Sequence, residues 1–180
     1  MIVFVVGWFA AGTHLNIRRG HKVLAWLQQG LTLLGERTSL RWLGSAVVEL
    51  TIAKAKQPFR KAEIVVVLEP RDVPLLWWYY RTRGRCDLLI VRAQLDAPPE
   101  FEIEIFDPNS WTTRGLESDL RSRNWAPVQL APTSPLKAYA AGPALPAPEL
   151  LALAEHLGPA LLRLALHREL TVKPELTAGP

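Results

Sequence analysis

The sequence predicts an α+β fold, a domain with a largely antiparallel β-sheet and a few short helices, preceded by an N-terminal membrane-anchor helix. Three observations predict it. An uncharged apolar run, Ile2 to Ile17, is stopped by Arg18 and Arg19. Behind it, short alternating or continuous apolar segments are separated by turn residues, as strands are. Between the strands, Pro74 and Pro148 each stand where proline opens a short helix.

The apolar run is taken first. A helix over it is about 24 Å long, against roughly 30 Å of hydrocarbon, so a crossing is marginal and relies on flanking residues that snorkel. Two rivals compete with a span. A secretory signal peptide has its positive charge before the apolar stretch and a small-residue cleavage site after it; here the charge follows, and Leu15-Asn16-Ile17-Arg18 is a poor cleavage site. The other rival is a buried N-terminal strand or helix. With a span, Arg18, Arg19 and Lys22 are the orientation signal: the positive-inside rule puts them in the cytoplasm, the N-terminus outside and the domain within, a single-pass arrangement in the cell membrane. His14 and Asn16 then lie at headgroup level.

Charge supports a membrane-proximal front half. The chain carries +4 overall, but residues 1–93 hold fourteen Lys and Arg against six Asp and Glu, and residues 94–180 hold seven against eleven. Anionic headgroups attract such juxtamembrane cations by about 1 kcal/mol each. A lone cysteine, Cys86, excludes an internal disulfide. Its place between Arg85 and Asp87 allows a lowered thiol pKa, although a small core residue is the commoner role.

The chain is divided accordingly: an anchor at 1–19, a juxtamembrane helix at 20–36, a cytosolic α+β domain at 37–172 and a loose tail at 173–180. Val23, Leu24, Leu27, Leu31 and Leu34 recur at helical spacing, with Gly30 as an interruption and Gly35 as a stop. From Thr38 the period becomes that of strands, bent at Gly44-Ser45. Ala62 to Leu68 is a continuous apolar run, read as a central strand. Glu69-Pro70-Arg71-Asp72 is a turn. Cys86 to Leu95 is strand-like, and Phe101 to Phe106 alternates strictly.

In that last strand Glu100, Glu102 and Glu104 share one face. Residues two apart are about 6.6–7 Å from each other, too far for one shared ion without further ligands, and the face is read as solvated. A short helix over Thr112–Arg121, strands at Trp125–Leu130 and Leu136–Ala141, and a helix from Glu149 to Leu157 follow. Leu161 to Leu170 fits a helix or a strand and is assigned to a helix.

The most unusual segment is Val73 to Arg85, in which Trp77, Trp78, Tyr79 and Tyr80 are followed by Arg81, Arg83 and Arg85. Such a set suits a membrane interface, where Trp and Tyr settle at the boundary and Arg meets phosphate. It also suits a protein partner, or nucleic acid, which ranks last. A helix that covers the sheet and buries its aromatics is the plain structural alternative.

No GxGxxG, GxxxxGK[ST], HExxH, GxSxG or CxxC occurs. His156 and His167 have no nearby cysteine or carboxylate at ligand spacing. No catalytic residue, cofactor or metal is therefore assigned. The expectation is a non-catalytic interaction or accessory module at the cytoplasmic membrane surface. Its partners would be the lipid bilayer, with anionic headgroups, and an unidentified protein. The alternative is an enzyme acting at the bilayer surface on a lipid-linked or anionic substrate.

Overall fold

The computed structural model describes residues 2–144 and 146–168. Two compact units make up the chain, Met1–Ala97 and Pro98–Pro180, so the residues expected in one domain over 37–172 fall in two. Each unit holds one four-stranded antiparallel sheet, and with four α-helices among the described residues the fold is α+β. The tail expected at 173–180 lies outside the described residues.

Unit 1 begins with helix α1 (Ile2–Leu34), which runs unbroken through Arg18-Arg19 and Gly30. The anchor and the juxtamembrane helix are thus one element. Its buried stripe is Gly12, Asn16, Gly20, Leu24 and Leu31, a spacing that keeps one face toward the sheet. Two glycines in this stripe mark close approach. A Cβ on Gly12 would overlap the Arg71 carbonyl, and one on Gly20 would meet the Trp42 ring at 2.6 Å. Further along, Leu24 and Leu31 pack on Val48, Leu50, Ile52, Ala62, Ile64 and Val66. Burying each leucine contributes on the order of 2 kcal/mol.

The sheet below is a meander, β1 (Thr38–Leu43), β2 (Val47–Ile52), β3 (Phe59–Val67) and β4 (Leu88–Leu95), paired in that order. Gly44, at φ +77°, makes the bend between β1 and β2. The apolar run at 62–68 is the inner strand β3. Helix α2 (Pro74–Thr82) joins β3 to β4 and starts on Pro74 as expected.

In unit 2 the strands β5 (Glu102–Phe106), β6 (Ala126–Val128), β7 (Lys137–Ala141) and β8 (Arg163–Leu166) are ordered β6-β7-β5-β8. Helix α4 (Pro148–Leu157) buries Ala154 against one face, with Ile103 and Ile105 of β5. The other face, Phe106 and Tyr139, is covered by Leu120 of helix α3 (Leu116–Ser122) and by Trp125.

Two sequence readings fail here for one reason. The segment assigned to a helix at Leu161–Leu170 contains a strand, β8, which pairs with β5. The glutamate face of β5 is not solvated: Glu104 is buried, because α3, Trp125 and β8 close over that side. The central strand β5 is sandwiched, and its alternation marks two covered faces.

Candidate functional site

The aromatic–arginine segment forms α2 and the turn behind it. One face, Trp77 and Tyr80, is half-buried against the rest of unit 1 with exposed Arg81 beside it, and the other, Leu75, Leu76, Trp78 and Tyr79, is exposed. No α2 residue is fully buried, so a helix that hides its aromatics in the core is not what forms. Leu75 is 81% exposed and Trp78 64%. The arginines stack on the rings: Arg83 lies 5.0 Å from the Tyr79 centroid, Arg85 4.0 Å from Tyr80, and Arg81 5.9 Å from Trp77.

Under α2 lies a polar knot centred on Arg71. Its guanidinium donates to Glu69 Oε2 at 2.7 Å and to both oxygens of Asp87 at 2.9 and 3.0 Å. Asn16 of α1 completes the ring, accepting from Arg71 Nη1 at 3.2 Å and donating to the Glu69 carbonyl at 3.1 Å. Trp77 donates its indole N–H to Glu69 Oε2 at 3.0 Å, Arg81 reaches Oε1 at 3.5 Å, and Arg19 reaches Asp87 Oδ2 at 3.2 Å. Burial alone would raise the Asp87 carboxyl. The bonds from Arg71, the Glu69 backbone N–H and Arg19 outweigh it and hold the carboxyl below its ordinary range. Every oxygen of these two carboxylates already accepts a bond, so the knot fastens α1, α2 and the start of β4 together.

The knot separates the residues expected to act together. Trp77 and Arg81 are tied inward to Glu69, and Arg19 to Asp87. Trp78, Tyr79 and Arg83 face out, as do Arg18 and Lys22. Asn16, expected at headgroup level, is buried. Its role, with those of Glu69, Arg71 and Asp87, had no signal in the sequence beyond polar residues in an apolar run and a turn.

The exposed face of α2 has a neighbour. Trp8 donates its indole N–H to the Arg71 carbonyl at 2.9 Å, and Gly12 abuts Arg71 and Asp72, so the first turns of α1 emerge beside the start of α2. On those turns Val3, Val5, Val6 and Phe9 are exposed. Val5 and Phe9 continue the buried stripe N-terminally with no sheet beneath them.

Cys86 is exposed, and its thiol pKa is raised by partial burial and by Asp87 and Glu69, opposite to the lowering that Arg85 suggested. In unit 2, Glu104 accepts two bonds from Arg163, at 2.9 and 2.5 Å, and one contact from His167 Nε2 at 2.8 Å. His167 Nδ1 lies 3.6 Å from Glu102. The fold thus supplies His167 with carboxylates that sequence spacing did not. Among the described residues no group of His, Cys, Asp and Glu is arranged to hold a metal ion. No helix among them is long and apolar enough to cross a membrane.

In comparisons with known proteins the chain matches no family model, no curated protein and no solved structure.

Proposed function

We propose that this chain is a non-catalytic interaction module that docks on a bilayer surface bearing anionic headgroups. The observation that carries the reading is the pairing of two exposed apolar surfaces, the first turns of α1 and the outer face of α2, with Arg83 stacked on Tyr79 and with Arg18 and Lys22 exposed further along α1. Apolar side chains with Trp and Tyr enter the headgroup boundary while arginines meet phosphate. Because Trp8 is bonded to the Arg71 carbonyl and Gly12 and Asn16 are seated on the rest of unit 1, only residues 2–7 stand clear of it, about 9 Å of helix, a third of the hydrocarbon thickness. That length favours entry into one leaflet. The cytoplasmic leaflet is the side proposed, from the basic character of the front half.

The test is co-sedimentation of the full chain with vesicles of phosphatidylcholine alone or mixed with phosphatidylglycerol. Binding that needs the anionic lipid and weakens with salt supports the reading. Absence of binding to either vesicle overturns it. Carbonate extraction of native membranes then separates a one-leaflet contact, which is released, from a full span, which is retained.

A further inference from the structure

Helix α1 lies over β2 and β3 and leaves β4 bare on the same face of the sheet. Register places Leu89 opposite Val66 and Val91 opposite Ile64, so these pairs share a side. Val66 and Ile64 are 3% and 2% exposed; one strand over, Leu89 and Val91 are 43% and 58% exposed. The helix borders this apolar strip. Arg19 reaches Asp87 at the head of β4, whereas Gly20 and His21 meet Trp42 on β1. The Arg19 flank of α1 therefore faces β4. Trp26 and Leu33 stand seven and fourteen residues further on, which returns them to that flank, and both are exposed.

The open edge of β4 decides what kind of occupant fits. It is the last strand of its sheet and eight residues long, so its outer backbone groups have no strand partner among the described residues. Natural edges are blunted by brevity, proline, bulges or exposed charge. The other edges are shorter: β8 has four residues, β6 three with Pro127, and β1 six, opening on polar Thr38 and Ser39. In β4 the sole charge is Arg92, which turns to Glu63 on the opposite face of the sheet. A helix laid in the trough would leave the edge unpaired; only a strand satisfies both edge and face.

We propose that the strand is β4 of a second copy, giving a twofold dimer with a continuous eight-stranded sheet. Antiparallel pairing about Val91 sets Val91 on its counterpart, Leu89 on Ala93 and Ile90 on Arg92, so the trough side is apolar from Leu89 to Ala93 and no two arginines are opposed. The same axis brings Trp26 and Leu33 of both copies over the joined strip.

Sedimentation equilibrium of the full chain in mild detergent, without lipid, tests this independently of bilayer binding. A dimer of the 20.1 kDa chain is expected. Val91→Lys raises the dissociation constant at least tenfold while circular dichroism at 25 °C shows the fold intact, since Val91 is exposed in the single chain, and Trp26→Ser acts in the same direction. Val91→Cys in a Cys86→Ser background oxidises to a linked dimer, whereas Arg41→Cys on the β1 edge does not. A monomer at all concentrations overturns the proposal, as does a dimer indifferent to Val91→Lys.

Discussion

Asn16 and Arg71 stand 55 residues apart in the chain and 3.2 Å apart in the fold. Their contact joins the helix to the turn after β3, and Asn16 is the one polar side chain of α1 with no exposure. Asn16→Ala leaves the Glu69 carbonyl and one Arg71 N–H without this partner in a buried place. The expected loss is about 1–3 kcal/mol of stability, read by urea unfolding. A change within 0.5 kcal/mol, the ordinary range of a surface substitution, would show that water replaces the amide without cost.

Glycines on α1 provide a paired test of how the helix seats. Gly12→Ala drives a methyl into the Arg71 backbone and must displace α1 from the knot. About 2 kcal/mol or more of destabilisation is expected. Gly30, with open space around it, gains helix propensity on Gly30→Ala, about 0.5–1 kcal/mol. Thermal melts of the two variants should move in opposite directions, and a shared direction contradicts the seating.

Adjacent tryptophans should behave differently. Trp78→Ser removes an exposed ring and is expected to weaken vesicle binding at least tenfold with the fold intact. Trp77→Ser removes the donor to Glu69 and the ring under Arg81, so it lowers unfolding stability by about 1–3 kcal/mol. Circular dichroism melts beside vesicle co-sedimentation separate the effects. Equal losses of stability in both variants would place Trp78 in the core.

Much of the sheet was legible in local pattern, and what pattern missed is set by partners far along the chain. Ala62 to Leu68 identified the inner strand because an apolar run of that length, closed by a turn, fits little else. The turn at Gly44 and the prolines opening α2 and α4 were equally local. Asn16 looked like a headgroup-level residue, since nothing near it in sequence announces Glu69 and Arg71. Leu161 to Leu170 was ambiguous because helix and strand periods overlap in so short a run. The deciding contact is Arg163 with Glu104, 59 residues away. For α2, composition identified the segment, but only the Glu69 contacts show which aromatic faces inward.

The Glu104 cluster predicts a pH dependence. His167 is raised above its ordinary value near 6.5, first by its bond to Glu104. Its contribution is therefore complete below about pH 6.5 and is lost as pH rises through the raised value. Glu104 would be raised by burial, but the bonds from His167 and Arg163 hold it below its ordinary 4.5. That contribution is complete above about pH 4.5 and is lost in acid. Hydrogen exchange of the β5, β7 and β8 amides should show unit 2 most stable between these limits. His167→Gln removes the decline on the alkaline side while sparing the acid limb. Glu104→Gln, which removes the charged partner of Arg163 and His167, costs about 1–3 kcal/mol at neutral pH. An alkaline decline unchanged in His167→Gln would assign the titration to another group.

The seat that receives α1 has a consequence for synthesis. Asp87 follows Asn16 by 71 residues, so a ribosome adding about 5–20 residues per second completes the knot roughly 4–14 s after the helix. Val67 ends β3 only 36 residues after Leu31, so for roughly 2–7 s of that interval Leu24, Leu31 and the stripe between them have no sheet to cover them. The nascent chain therefore presents its longest helix before its own partner exists, and whatever first meets it, a chaperone or the bilayer itself, competes with β2 and β3 for the same face.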